Sequence, residues 1–135
     1  MTDPKRILVA DDDIDFVKIL EGRLKQRGYQ VAVAQSGEQA INLVRVFHPD
    51  LILLDLDMAD LPGDVAGLRI RCENRERQIP IVALTGHGDF MSQATTYAMG
   101  FADHILKPYE PEDLFRRIEK LLAGLTAPEN EKKAP

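Results

Sequence analysis

Cysteine is nearly absent from this sequence, since Cys72 is the only one among 135 residues. A single cysteine excludes an intramolecular disulfide and a zinc site built from cysteines. Long apolar runs are absent too. None approaches the ~20 residues that cross a bilayer, and the first one, at 7–10, is too short for a signal peptide. We therefore expect a cytoplasmic protein that has no membrane partner.

Basic residues do not cluster in the sequence, and acidic residues outnumber them. The chain has 17 Lys and Arg against 22 Asp and Glu, which gives a net charge of −5. Because affinity for a nucleic-acid duplex rests on neutralising its phosphates, direct binding of nucleic acid is not expected. The remaining composition, with 44% apolar and 29% charged residues, is typical of a single soluble globular domain.

Short apolar segments alternate with stretches of helical periodicity along the chain. Asp13 is placed to cap the first helix. Ser36 and Gln39 fit a capping box at the start of the second. The predicted strands are 7–10, 29–34, 51–54, 79–84 and 102–106, and the least regular helices are 65–75 and 90–99. Strands that are nearly all apolar predict an α/β fold, with a parallel sheet covered by helices on both faces.

Polar side chains follow the predicted strands at the point where each strand ends. Right-handed crossovers point all strands the same way, so these side chains meet at one edge of the sheet. They are Asp11, Asp12 and Asp13 after the first strand, Asp55 and Asp57 after the third, Thr85 after the fourth and Lys107 after the fifth. Ligands of such sheets bind at this edge, in the crevice where the strand order reverses.

The stretch LILLDLDM, at 51–58, puts a carboxylate at the tip of a buried strand. Clustered carboxylates repel one another, so either some take up protons or a cation neutralises them. An all-oxygen site suits Mg²⁺, which commonly binds beside a phosphate. An Asp can itself accept a phosphoryl group, with a metal, a Lys and a hydroxyl around the phosphoryl oxygens. Asp55, Lys107 and Thr85 supply the protein groups for that chemistry.

Four motifs together resemble those of a known family. Asp11-Asp12, LILLDLDM around Asp55, LTGHGD around Thr85 and ILKPY around Lys107 are similar to the receiver domain of bacterial two-component response regulators, over roughly residues 5–123. The resemblance implies a flavodoxin-like (βα)5 fold, a doubly wound five-stranded parallel sheet in the order 2-1-3-4-5. It predicts a receiver domain over 1–124, and 125–135 as a polar tail or a truncated linker.

The same resemblance implies a role for each acidic residue. Asp55 would be phosphorylated by a histidine kinase or a histidine phosphotransfer protein. Asp12 would bind Mg²⁺ directly and Asp11 mainly through water, and Asp55 and the backbone carbonyl of Asp57 would complete the protein ligands. The chain would catalyse only its own phosphorylation and dephosphorylation and is not otherwise expected to be an enzyme.

Lys107 would pair with the phosphate, and the Lys107–Pro108 bond is often cis in this family. Thr85 would hydrogen-bond the phosphoryl group and shift with it, while the residue at position 104 would swap between exposed and buried states. Two residues depart from the family pattern. His104 stands where Phe or Tyr is usual, so its charge could make switching sensitive to pH. Ala59 stands where a Pro usually follows the Met.

Asp57 and His87 each lie two residues after a motif residue. In the family, side chains at these two places flank the phosphoryl group. We hypothesise that both tune the lifetime of the phosphoryl group by affecting the access of water. The alternative is that they are solvated loop residues without a role.

Phosphorylation would shift the population toward a state in which Thr85 is drawn inward and His104 is repositioned. The altered surface would be formed by helix four, strand five and helix five. The altered surface would be bound by a downstream protein partner, by an output domain, or by a second copy of the chain in a phosphorylation-dependent dimer.

Two other functions match part of the pattern. An adaptor that works without phosphorylation would keep the fold, but it is expected to lack the acceptor, the acidic pair or the lysine, all of which are present. Asp55-Leu56-Asp57 also resembles the Asp-x-Asp motif of haloacid-dehalogenase-type phosphatases. That family places its acidic pair after the motif, whereas Asp11 and Asp12 precede it here.

Overall fold

The structure, a computed structural model, describes residues 3–86 and 93–126 of the chain. Strands and helices alternate in it: β1 Arg6–Ala10, α1 Ile14–Gln26, β2 Gln30–Ala34, α2 Gly37–Phe47, β3 Leu51–Asp55, α3 Gly63–Glu73, β4 Ile81–Thr85, α4 Gln93–Ala98, β5 Asp103–Leu106 and α5 Pro111–Thr126. The strands pair in parallel, in the order β2-β1-β3-β4-β5. The predicted fold class and strand order are confirmed.

Within the described ranges, no helix is long and apolar enough to cross a membrane.

Strand β3 lies in the middle of the sheet, and all five of its residues are buried. Successive side chains of a strand point to opposite faces. Ile52 and Leu54 therefore pack with α2 and α3 on one face, while Leu51 and Leu53 pack with α1 and α5 on the other. Two cores on either side of one sheet explain why this strand is continuously apolar rather than alternating.

The helix caps follow the predicted chemistry closely. Asp13 is the N-cap of α1, and its side chain accepts a hydrogen bond from Phe16 N at 3.1 Å. The Ser36 hydroxyl caps α2 by accepting from Gln39 N at 3.1 Å. The second bond differs from a capping box, because Gln39 Oε1 accepts from the backbone N of Gln35 at 2.7 Å.

Helix α3 begins two residues earlier than the predicted 65–75 and ends at Glu73. Pro62 is the N-cap and Gly63 the first helical residue, although both precede the predicted helix. A Cβ on Gly63 would lie 2.5 Å from the Cα of Leu56, so only glycine allows this approach. The buried residues of α3 are mostly small, namely Gly63, Ala66, Gly67 and Ile70, which is why its apolar face was indistinct in the sequence.

Strand β4 is displaced from the predicted 79–84 and runs from Ile81 to Thr85. Pro80 has no N–H to donate to a ladder, and only its carbonyl pairs, accepting from Ile52 N at 3.0 Å. At its other end the strand extends one residue beyond the prediction, so Thr85 is its last residue rather than the first residue after it. This placement puts its buried side chain directly at the carboxyl edge of the sheet.

Glycine marks the end of two helices but not of the last one. Gly28 and Gly100 have φ values of +95° and +86° and follow the ends of α1 and α4. Gly124 was predicted to stop the final helix, but it has no positive φ, and α5 continues to Thr126. Residues 125–126 of the predicted tail are thus helical, whereas 127–135 and the predicted start of the fourth helix, at 90–92, lie outside the described residues.

Candidate functional site

Three carboxylates meet at the carboxyl edge of β1 and β3. The two strands are paired with Ala10 opposite Leu54, so the residues that follow them, Asp11 and Asp55, are neighbours. Oxygens of Asp11, Asp12 and Asp55 lie within 4.8 Å of one another. Asp11 and Asp55 are buried, with 0% and 3% exposure, and Asp12 is exposed. The predicted acidic cluster is therefore assembled by the fold.

The two buried carboxylates are held in the same way by the loops that follow them. The Oδ1 atom of Asp11 accepts from the backbone N of Asp13 at 3.0 Å. The Oδ1 atom of Asp55 accepts from the backbone N of Asp57, also at 3.0 Å. In both cases the carboxylate accepts a hydrogen bond from the backbone N–H two residues further along the chain. Such a local hydrogen bond orients the side chain. One oxygen atom of each carboxylate is thus oriented by its own local sequence.

Lys107 enters the cluster from the end of β5. Its Nζ lies 2.8 Å from Asp11 Oδ2 and 3.7 Å from Asp55 Oδ1. Its backbone N donates to Thr85 O at 2.8 Å, and its peptide bond to Pro108 is cis. Burial opposes the charge of this lysine, but the hydrogen bond to Asp11 and the nearby carboxylates outweigh burial and raise the pKa of the ammonium group.

The surroundings of Asp55 disfavour the charged form of its carboxyl group. Burial raises the pKa of Asp55 to about 6, and the charge of Asp11 adds to this rise. The hydrogen bond from Asp57 N and the charge of Lys107 act in the opposite direction. One lysine therefore does not neutralise the cluster fully, and a further cation would favour the ionised carboxylate.

Thr85 reaches the same edge from β4. In the register of β3 and β4, Asp55 lies opposite Leu84, which places Thr85 one residue further along the neighbouring strand. Its side chain is buried, with 2% exposure. Four strands thus contribute residues to one edge, as expected from the sequence.

His104 lies inside β5 opposite Ala83 and not at the end of the strand. It is half-buried, and its Nδ1 lies 2.6 Å from the hydroxyl oxygen of Thr96 in α4. Its backbone carbonyl accepts from Arg117 Nη1 in α5 at 3.0 Å. The expected switch residue therefore contacts both neighbouring helices. Thr96 was not singled out from the sequence, where it only weakened the apolar face of its helix.

The remaining candidates lie at the margin of the cluster. Asp57 is exposed, and its backbone N is bonded to Asp55. Asp13 caps α1 and is not one of the three clustered carboxylates, which agrees with its predicted structural role. His87 lies outside the described residues.

A tether that the sequence did not reveal holds the loop between β3 and α3. The carboxylate of Asp60 accepts from the backbone N of Gly37 at 2.9 Å and of Glu38 at 3.1 Å, at the start of α2. These hydrogen bonds lower the pKa of Asp60. The loop that contains Ala59 is thus anchored by the residue that follows it.

The clustered donors are carboxylate oxygens, the hard ligands that Mg²⁺ takes in proteins. Asp12 is the exposed member of the cluster and leaves it open toward solvent. An open all-oxygen site, in which the ion keeps several waters, fits Mg²⁺ better than a closed protein cage does. The residues present therefore fit this metal.

Comparison with known proteins agrees with this geometry. The family profile described as the response regulator receiver domain matches residues 7–119. The chain is 40% identical over 118 residues to a protein of Cyanophora paradoxa named "Probable transcriptional regulator ycf27", and this match covers 87% of the chain and 48% of that protein. The chain thus spans about half the length of the curated relatives that it matches.

Solved structures of similar fold were also found. A CheY-like response regulator receiver domain protein from Methanospirillum hungatei superposes with a TM-score of 0.80 at 24% identity, over 97% of this chain and 99% of that one. The response regulator TrrA from Thermotoga maritima, in complex with Mg²⁺-BeF, gives a TM-score of 0.76 at 27% identity, over 87% and 98% of the two chains.

Proposed function

The chain belongs to the response regulator receiver domain family, and from that premise we propose that Asp55 accepts a phosphoryl group from a phosphohistidine. Domains of this family are phosphorylation-controlled signalling switches and not enzymes in the usual sense. The observation that carries the proposal is the buried Asp55 carboxylate, placed among two further carboxylates and the ammonium group of Lys107.

The proposed transfer exchanges one bond to phosphorus for another. A carboxylate oxygen of Asp55 attacks the phosphorus atom of the donor, and an O–P bond forms. The N–P bond breaks, and its electron pair stays on the imidazole nitrogen of the donor. The attacking oxygen must be ionised, and the neighbouring positive charges favour that form.

Each neighbour of Asp55 has a proposed task in this transfer. A bound Mg²⁺ would neutralise the charge of the phosphoryl oxygens. Asp12 would hold the metal directly, Asp11 mainly through water, and the backbone carbonyl of Asp57 would complete the protein ligands. Lys107 would pair with one phosphoryl oxygen. The hydroxyl of Thr85 would donate a hydrogen bond to another.

We further propose that the doubly negative phosphoryl group changes the surface formed by α4, β5 and α5. Thr85 and His104 lie on adjacent strands of this half of the sheet, and His104 contacts α4 through Thr96. A shift of Thr85 toward the phosphoryl group would therefore reach α4 through β5. Histidine kinases and phosphotransfer proteins are the proposed donors.

The output of the switch is proposed to lie outside these residues. Because the chain spans about half of its curated relatives, a separate partner or an output domain would read the altered surface. One relative is named as a transcriptional regulator, so contact with nucleic acid would belong to such an output domain. A dimer formed on phosphorylation through the same surface is a further proposed readout.

Intact-mass spectrometry after incubation with acetyl phosphate tests the proposal. We expect one Mg²⁺-dependent phosphoryl adduct on the wild type and none on Asp55→Asn. A well-folded wild type that binds Mg²⁺ but gives no adduct, with acetyl phosphate and with a histidine kinase, would support the adaptor function instead. Rapid turnover of the donor without an adduct would support the phosphatase function.

A further inference from the structure

Lys107 has a third neighbour besides its two carboxylates. Its Nζ lies 5.2 Å from the centroid of the Phe16 ring, inside the ~6 Å range of a cation–π contact. Phe16 is in the first turn of α1, and its backbone N is bonded to the cap residue Asp13. The ring is therefore placed by the same short segment that carries Asp11 and Asp12.

Tyr109 holds the Phe16 ring from a second side. The two ring centroids are 5.8 Å apart with an interplanar angle of 83°, the edge-to-face arrangement that aromatic pairs favour. Burial raises the pKa of the Tyr109 hydroxyl well above its usual value, so this ring carries no charge. Tyr109 follows Lys107 by two residues, so Phe16 is packed against the segment whose lysine it contacts.

The aromatic contact matters because the carboxylate partner of Lys107 is also a proposed metal ligand. The Nζ atom of Lys107 is closer to Asp11, at 2.8 Å, than to Asp55, at 3.7 Å. A cation at the cluster, which Asp11 would bind mainly through water, would compete with the lysine for the negative charge of that carboxylate. Lysine has a long and flexible side chain, so it gains freedom when it loses a partner. The face of Phe16 is not a metal ligand and stays available.

We propose that Phe16, supported by Tyr109, is a positioning residue. Its ring keeps the ammonium group of Lys107 beside Asp55 when a bound cation has weakened the contact between Lys107 and Asp11. This role rests on the proposed function. A purely structural role would be the alternative, because Phe16 also packs against the core formed by α1 and α5. The two roles differ in whether the aromatic face, or only the volume of the side chain, is required.

Phe16→Leu removes the aromatic face but keeps an apolar side chain, and Phe16→Tyr keeps the face. The first readout is an NMR signal of the metal-free protein. Protons above a ring face are shifted upfield, so we expect an upfield shift of the Lys107 ε-CH2 signal in the wild type and in Phe16→Tyr. This shift is expected to vanish in Phe16→Leu. An unchanged signal in Phe16→Leu would overturn the contact itself.

The second readout is the rate of adduct formation with acetyl phosphate at saturating Mg²⁺. A small donor removes any effect on the docking of a kinase. We expect Phe16→Leu to be slower by about twofold to thirtyfold, the range of one cation–π contact, and Phe16→Tyr to match the wild type. Ile19→Ala is the matched control, because Ile19 is an exposed apolar residue about one turn further along the same helix.

Two further measurements separate positioning from general damage. The Mg²⁺ affinity and the urea midpoint of Phe16→Leu are expected to stay close to those of the wild type. An unchanged rate in Phe16→Leu would overturn the positioning role, and so would a slower rate that Phe16→Tyr fails to rescue. Failure of the wild type to form any adduct is a different result, since it overturns the proposed function itself.

Discussion

The hydroxyl oxygen of Thr96 in α4 lies 2.6 Å from Nδ1 of His104 in β5. Thr96 is buried, with 1% exposure, so this bond is shielded from water. His104 thus has a polar link to α4 that a Phe or Tyr at this position could not make through a ring nitrogen.

We expect Thr96→Val to destabilise the protein by about 1 kcal/mol, the usual net value of a hydrogen bond. Valine keeps the shape of the side chain and leaves Nδ1 of His104 without this partner. The measurement is urea unfolding within a double-mutant cycle. In the background of His104→Phe, the same substitution should have a clearly smaller effect. Equal effects in both backgrounds would mean that the bond contributes nothing.

Asp55 should make the stability of the metal-free protein fall as pH rises. Its pKa is about 6 in the folded protein against a usual value of 3.8, so the folded state binds the proton more tightly. The stabilisation is complete below the unfolded pKa and is lost as pH rises through about 6. It amounts to roughly 3 kcal/mol at 2.303RT per pKa unit.

Urea unfolding of the wild type and Asp55→Asn, from about pH 4 to about pH 7.5 without Mg²⁺, measures this loss. Asparagine cannot ionise, so Asp55→Asn should become the more stable protein as pH rises. Added Mg²⁺ should narrow the difference at about pH 7.5. Parallel pH profiles for the two proteins would contradict the prediction.

Asp57→Ala and His87→Ala should each change the lifetime of the phosphoryl group severalfold, if these side chains affect the access of water to it. The decay of the phosphorylated adduct, followed by intact mass, measures the lifetime. Asp64→Ala removes an equivalent exposed carboxylate from α3 and serves as the control. Lifetimes equal to that of the wild type in both variants would leave Asp57 and His87 as solvated loop residues.

Gly63→Ala should destabilise the protein by about 1–3 kcal/mol, the usual effect of forcing extra volume into a packed site. The new Cβ would meet the backbone of Leu56, one residue after Asp55. Gly22→Ala, in an exposed part of α1 with open space around it, should instead stabilise by about 0.5–1 kcal/mol. Thermal unfolding distinguishes the two. A neutral Gly63→Ala would show that the loop has room to relax.

The edge where the site lies could be predicted because strand direction alone determines it. Parallel strands bring their carboxyl ends together, so Asp11, Asp55, Thr85 and Lys107 could be grouped without knowing a single distance. The caps at Asp13 and Ser36 were predictable for a similar reason, since each depends on three or four consecutive residues.

Contacts that depend on packing between distant elements could not be predicted. Thr96 lies in one of the two least regular predicted helices, and its partner lies on a neighbouring strand. The start of α3 was missed because Gly63 has a packing role that its local sequence does not reveal. Phe16 and Lys107 are 91 residues apart in the sequence, so their contact depends on how the fold brings α1 and the end of β5 together.

The Asp60 tether holds the acceptor loop, which follows Asp55, in place. The loop that follows the acceptor residue is bonded to the start of α2 through two backbone groups. Helix α4 contacts β5 through the Thr96–His104 bond, and Arg71 of α3 donates to the carbonyl of Met99, the residue that follows α4. If phosphorylation displaces α4, as proposed, the acceptor loop would be the fixed reference against which that helix moves.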